Sequence, residues 1–203
     1  MEGSVLTPSM EGMKHVRTKE GEMLTKPFLD VCKLILPVLD KFGPAMVIVK
    51  ADIGGNISRL ENKYTSDTQK FKFMYTIVLV EVENRTAKSY SSCTNALLWL
   101  TRAMDFLVQL LTNLNENPDC SMSRACNESY NKTLKKWHGW IASSSFMLAL
   151  NFLPDKQKFL DVIGAGSSDV KEEITNFCSA FSLLLKANHK FLAGVGLDGM
   201  KSS

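Results

Sequence analysis

No stretch of this chain approaches the roughly 18 consecutive apolar residues that a membrane-spanning helix requires. Nor is there a run of lysine and arginine. Over 203 residues, 24 Lys and Arg against 21 Asp and Glu leave a net charge of only +3, too small to argue for nucleic acid. Histidine is scarce: His15, His138 and His189 stand far apart without a paired ligand, so neither a metal site nor a cofactor is expected. The five cysteines are odd in number and lack CxxC spacing, which excludes a disulfide framework. Cys32, Cys93 and Cys178 fall in apolar helical patterns and read as small buried hydrophobes. Cys120 and Cys126 flank a polar loop and are expected as thiols in a reducing compartment. There is no phosphate-binding GxxxxGK[ST] string and no GxSxG nucleophile elbow. The two GxG strings, at 164–166 and 194–196, follow no strand. The opening MEGSVLTPSMEGMKH has neither a basic start nor an apolar stretch, so no secretory signal is expected. The four Asn-X-Ser/Thr sequons are accordingly expected to be unmodified, and the chain reads as soluble and intracellular.

What remains is helix. Hydrophobic residues make up 45% of the chain, enough for a substantial core in one domain spanning 1–203, with 1–24 and 195–203 expected to be flexible. Thr25-Lys26-Pro27 reads as a helix start, and apolar residues recur at helical spacing to Phe42, with Pro37 expected to kink or break the helix. A helix over 47–64 follows. Asp67 or Thr68 is placed to cap another that turns Phe71, Met74, Ile77 and Val78 inward and ends in the VLVEVEN run. The longest apolar pattern runs from Cys93 to Leu114. One long helix is expected from Arg124 to about Phe152 with Ser123 as its cap, then a short one over 155–163. An amphipathic helix over 170–193, capped by Ser168 or Asp169, completes the series.

Two polar stripes stand out from this pattern. In the helix over 47–64, Met46, Val49, Ile53, Ile57, Leu60 and Tyr64 form an apolar face. Asp52, Asn56 and Arg59, at i, i+4 and i+7, line its flank. Such a triplet is ordinarily a solvated edge. Here Gly54 and Gly55 lie inside the same helix, each costing about 1 kcal/mol relative to alanine. That cost has a return only where a helix or a ligand needs close backbone approach. The second stripe carries Asn95, Trp99, Arg102 and Phe106 on the helix over 93–114. Trp99 reads as a core aromatic or as a flat surface for a sugar ring, with Asn95 one turn away for hydroxyls. His138 shares a helical face with Leu134, Ile141 and Ser145, where a lone histidine is ordinarily a satisfied core residue. Hydrolysis by Asp52 with His138 is chemically conceivable, but no motif ties a nucleophile to them.

The string ADIGGNISRLE, 51–61, closely resembles the headgroup-binding helix of the glycolipid transfer protein family. Two further strings, ALLWLTRAMDF (96–106) and KKWHGWI (135–141), resemble that family's sugar-stacking and amide-binding segments, so the likeness covers most of the chain. The resemblance implies an all-α fold of about eight helices in a two-layer helical sandwich enclosing an apolar lipid pocket. It further implies an intracellular, cytoplasmic carrier, monomeric and without enzymatic activity. Such a carrier moves glycosylceramide-like glycosphingolipids between membranes, touching each surface transiently. By the same resemblance Asp52 accepts hydrogen bonds from the ceramide amide and a sugar hydroxyl, Asn56 and Arg59 bond sugar hydroxyls, Trp99 stacks on the sugar, and His138 donates to the acyl carbonyl. Trp140 matches a tryptophan of the membrane-contact region, with Trp137, Lys135 and Lys136 beside it. Arg59 stands where lysine is common, Asn95 where an apolar residue is common, and no tyrosine follows Tyr130. A sister branch carries phosphorylated ceramide with extra cations on the helix of Trp99. Here Arg102 is present, but Leu98 stands one turn before it, leaving a phosphate clamp incomplete. A glycolipid sensor or adaptor is a further alternative.

Overall fold

The computed structural model describes residues 4–164 and 169–201. Those residues form nine α-helices, against the expected eight or so. They are α1 (Thr7–Met13), α2 (Thr25–Asp40), α3 (Val47–Ser66), α4 (Met74–Glu83), α5 (Cys93–Glu116), α6 (Met122–Thr133), α7 (Trp140–Ala149), α8 (Lys156–Gly164) and α9 (Val170–Gly194). Two short 3-10 turns, Gly43–Met46 and Leu150–Phe152, precede α3 and follow α7. The only β-structure among the described residues is two isolated bridges.

The helix with the longest apolar pattern takes the centre. Leu97, Leu100, Met104, Leu107 and Leu111 of α5 are buried, and α3, α4, α6 and α9 pack around it. α2 lies against α3, and α1 bridges α2 and α9, so the helices close into a sandwich about one apolar core. Ser92 caps α5 by accepting from the Asn95 amide. Glu81, in the VLVEVEN run that ends α4, supplies a second cap. Its carboxylate accepts from the amides of Cys93 and Thr94, both at 2.8 Å, where first-turn donors have no intrahelical partner and the helix dipole favours an anion. A buried polar tie locks the centre: the Tyr75 hydroxyl donates to Asn188 at 2.9 Å, and the Asn188 amide donates to Thr101 at 3.2 Å. Buried groups satisfied in this way hold α4, α9 and α5 in a single register.

Several expectations need correction. Residues 4–24 are not irregular. Leu6, at the N-cap of α1, and Met10 and Met13 of that helix recur at i, i+4 and i+7, and Leu6, Val16 and Met23 are fully buried. At Gly12 a Cβ would lie 3.0 Å from Val31, so glycine is what lets α1 approach α2. Helix α2 continues through Pro37 without a break. Asp67 accepts from the Lys70 amide and organises the turn before α4, which itself starts only at Met74. The long helix expected over 124–152 is two helices, with Ser121 rather than Ser123 as first cap. It stops after Thr133, where the Leu134 and Lys135 amides both turn back to the Tyr130 carbonyl, and resumes at Trp140 with Gly139 extended at the N-cap position. Leu134, His138 and Ile141 therefore do not share one helical face. Asp169 does precede α9 but makes no side-chain cap, and Ser168 lies outside the described residues. Finally, the tail folds back. Gly196 adopts a left-handed φ of +74°, its amide bonds Ala193, and the Leu197 amide bonds Leu192 at 2.8 Å, a Schellman ending that aims residues 197–200 along α5.

Candidate functional site

The two polar stripes meet. α3 and α5 pack side by side, and the connection between α6 and α7 brings His138 over Trp99 of α5. On α3, Asn56 is buried to 7% exposure, whereas Asp52 is exposed on the adjoining turn. Desolvation of the Asp52 carboxylate raises its pKa, and the nearby Arg59 charge opposes the rise. The Asn56 amide reaches Asp52 only at 3.5 Å, too long to tie the pair firmly. A Cβ added to Gly54 or Gly55 would meet nothing within 4 Å, so among the described residues no helix uses the close approach those glycines permit.

Arg59 and Asn95 are joined through a carbonyl. Arg59 Nη1 donates to the Tyr90 carbonyl at 3.2 Å, and Asn95 Nδ2 donates to the same oxygen at 3.0 Å. Both side chains thus fix the loop over 84–92 at one end of the site. Nothing in the sequence pattern pointed to Tyr90, because a backbone oxygen carries no residue signature.

Trp99 is half-buried at the floor. The His138 ring lies over it at 5.5 Å between centroids and 20° between planes. His138 Nδ1 is 3.1 Å from the Tyr130 hydroxyl, which donates in turn to Ser143 at 2.9 Å. Burial lowers the His138 pKa, and the Arg102 charge lowers it further, so the imidazole is held neutral. Tyr130 and Ser143 went unread in the sequence, since the break in the helix is what brings them to His138. Arg102, on the same stripe as Trp99, is buried at 2% exposure. Its guanidinium lies 4.9 Å from the Trp99 ring and 3.7 Å from that of Trp137, while both Nη atoms donate to tail carbonyls.

Beyond this site the surface turns apolar. Trp140 is 79% exposed, and with it Ile141, Met147, Leu148 and Phe152 of α7 and the following turn. Val47 and Ile48, at the start of α3, are also exposed and follow the 3-10 turn that packs against α7. Lys135 and Lys136 stand exposed beside Trp140, whereas Trp137 is half-buried between Arg102 and Lys136. Of the four residues expected at a docking surface, Trp137 is therefore the one turned toward the interior. Apart from Trp140, sequence reasoning missed this rim. The signal was present in WIASSSFMLA, a helix apolar on nearly every side yet with no buried residue.

Among the described residues no cluster of His, Cys, Asp and Glu could hold a metal, and no helix is long and apolar enough to cross a membrane. A Trp99–His138 stack, a neighbouring packed helix that carries a carboxylate and an amide, and an exposed apolar rim together define an all-α protein suited to an amphiphile. The comparisons specify the family. The sequence profile of the glycolipid transfer protein family matches residues 23–165. Glycolipid transfer protein 1 of Arabidopsis thaliana is 62% identical over 203 residues, the full length of both chains. Glycolipid transfer protein 3 of the same plant is 38% identical over 87% of this chain and 77% of its own. Among solved structures, that of FAPP2, described as selecting simple glycosphingolipids using this fold, superposes with a TM-score of 0.88 at 28% identity. It covers 98% of this chain and all of that one. The apo form of mouse ceramide-1-phosphate transfer protein shares the fold at a TM-score of 0.89 and 22% identity, over 98% of this chain and all of its own. The chain belongs to the glycolipid transfer protein family.

Proposed function

We propose that the protein extracts a glycosphingolipid from one membrane and delivers it chemically unchanged to another, as a cytoplasmic monomer. The observation that carries this reading is the His138 ring stacked over Trp99 on α5, the helix against which the α3 that bears Asp52 and Asn56 packs, in a protein with an exposed apolar rim around Trp140. A tryptophan face suits the apolar face of a hexose, and the weakly tied Asp52 and Asn56 offer an acceptor and an amide to the ceramide N–H and sugar hydroxyls. The unfilled space at Gly54 and Gly55 is consistent with a headgroup approaching the α3 backbone. His138 donates to the acyl carbonyl through Nε2 once Nδ1 accepts from Tyr130, whose hydroxyl proton turns from Ser143 toward the ring. Lipid chains enter the interior among apolar side chains that pack on one another there, such as Phe42 with Phe159 and Phe106 with Phe146. A carrier is needed because each methylene moved into water costs about 0.8 kcal/mol.

Transport of phosphorylated ceramide is the second reading, favoured by structural neighbours such as Arabidopsis ACD11, solved with ceramide-1-phosphate at 16% identity and a TM-score of 0.87 over 98% of this chain and all of that one. Against it, Arg102 is committed to tail carbonyls and two indole rings, and Leu98 is buried one turn away. The deciding experiment is transfer between vesicles by catalytic amounts of protein, with glucosyl-, galactosyl-, lactosyl- and phosphoceramide as cargo. We expect rapid transfer of glycosylceramide recovered intact. Transfer of phosphoceramide alone reverses the assignment. Stoichiometric binding without transfer makes the protein a sensor, and a new lipid product makes it an enzyme.

A further inference from the structure

The tail and His189 form an arrangement that the headgroup site as described does not use. His189 of α9 stands between two carboxylates from different segments: Nε2 lies 2.6 Å from Asp105 of α5, and Nδ1 lies 2.5 Å from Asp198 of the tail. A neutral imidazole carries one N–H, so only the imidazolium donates to both at once. The same stretch of tail turns its carbonyls inward. Arg102 Nη2 donates to Asp198 O at 2.6 Å and Nη1 to Met200 O at 2.7 Å, and the guanidinium so held lies against Trp99 on one side and Trp137 on the other. The Arg102 Nε atom is buried without a partner, so those two carbonyls carry the polar anchoring of the side chain.

We infer that residues 197–200 are a positioning strap for the headgroup platform: His189, clasped by Asp105 and Asp198, holds the strap in the place where its carbonyls fix Arg102, and Arg102 in turn fixes the plane of Trp99. The inference rests on the reading of Trp99 as the surface that stacks on sugar. It makes Arg102, His189 and Asp198 positioning residues for lipid affinity, although none of them is assigned a contact with lipid. It also explains why an arginine sits buried in a protein whose cargo is expected to be uncharged. The Schellman turn at Gly196 and the burial of Leu197 give the strap a rigid root.

The clasp has a direction in pH. Hydrogen bonding to Asp105, together with that to Asp198, raises the His189 pKa against the lowering effect of burial. With the folded value above the unfolded one, the stabilisation is complete below the unfolded pKa and is lost as pH rises through the folded pKa. Other charged groups lining the same groove are Arg102, Lys132 and Lys136. Burial lowers the Arg102 pKa only to about 10, so it stays charged throughout. His138 is shifted the opposite way, downward, and charges only on the acid side.

The test measures affinity of the full chain for short-chain glucosylceramide between about pH 5 and 8, using wild type, H189Q and D198N, with helical circular dichroism and vesicle adsorption recorded alongside. In the wild type, affinity should fall as pH rises through the His189 titration. D198N should move that midpoint to lower pH. H189Q should remove the step and bind about thirtyfold more weakly, the scale of one desolvated cation–π contact. Helicity and adsorption to vesicles should not change. A wild-type profile without that step, an unmoved midpoint in D198N, or wild-type affinity in H189Q overturns the strap. So does a loss of affinity that appears only together with loss of helix. Failure of the wild type to bind at every pH overturns the headgroup reading itself.

Discussion

At the scale of single residues, Asp52 is the most direct test of the site. It is exposed and makes no strong bond within the protein, so nothing in the fold depends on its charge. Asp52→Val should therefore leave helical circular dichroism and the melting temperature unchanged while removing glycolipid transfer. The expected binding loss is on the order of 2–3 kcal/mol, because the ligand's donors are left buried and unpaired. Near-normal transfer by the variant would take Asp52 out of the site. Asp52 and Asn56 were legible from spacing on one helix flank, which the regular geometry of α3 preserves. His138 was legible only through the likeness of KKWHGWI to a family motif. Its hydrogen-bond partner Tyr130 was not, because the approach of the two depends on where a helix breaks.

At the scale of elements, α3 and α5 act together through the loop over 84–92. Arg59 and Asn95 donate to one carbonyl oxygen, that of Tyr90, so removal of either leaves the other still holding the loop. Substituting Arg59→Lys with Asn95→Leu should relax discrimination between glucosyl- and galactosylceramide by more than the two single changes combined, with a coupling of about 1 kcal/mol. A double-mutant cycle on transfer rates measures it, and strictly additive effects would dissolve the joint site. The element formed by α7 and its neighbouring turns makes a second prediction. Trp140→Ala and Ile48→Ser should each weaken adsorption to vesicles without changing affinity for a soluble short-chain lipid, since both side chains are largely exposed (79% and 78%). Unchanged partitioning of either variant would remove that side chain from the docking surface. Trp140 was anticipated from the sequence and Ile48 was not, because residue 48 lies far from the α7 segment in the chain and joins it only through packing of the intervening turns.

At the scale of the whole molecule, ligand and fold are linked. A lipid that binds the folded chain alone stabilises it by about 2.7 kcal/mol at a free concentration of one hundred times Kd. For a chain of this size that corresponds to a rise in Tm of roughly 5–11 °C. Calorimetry with short-chain glucosylceramide should show this rise, and Trp99→Ala should suppress it at the same lipid concentration. An equal rise in the variant would mean that the lipid binds without the aromatic platform.

The sequence by itself determined the helices and the polarity of their faces, because the 3.6-residue period is a local property that each segment carries without its neighbours. It determined the all-α class, the two polar stripes and the family to which the chain belongs. Only the tertiary structure decided which stripe ends meet and which residues serve packing instead. It ordered residues 4–24 through the close approach at Gly12, parted the helix expected over 124–152 between Thr133 and Trp140, and turned the tail back at Gly196. It also took Arg102, on a stripe shared with Trp99, and spent its donors on the carbonyls of residues 198 and 200. The reason is common to these cases. A backbone oxygen, a left-handed glycine and a helix break acquire partners from segments as many as 98 positions away, and a periodicity confined to one helix carries no record of them.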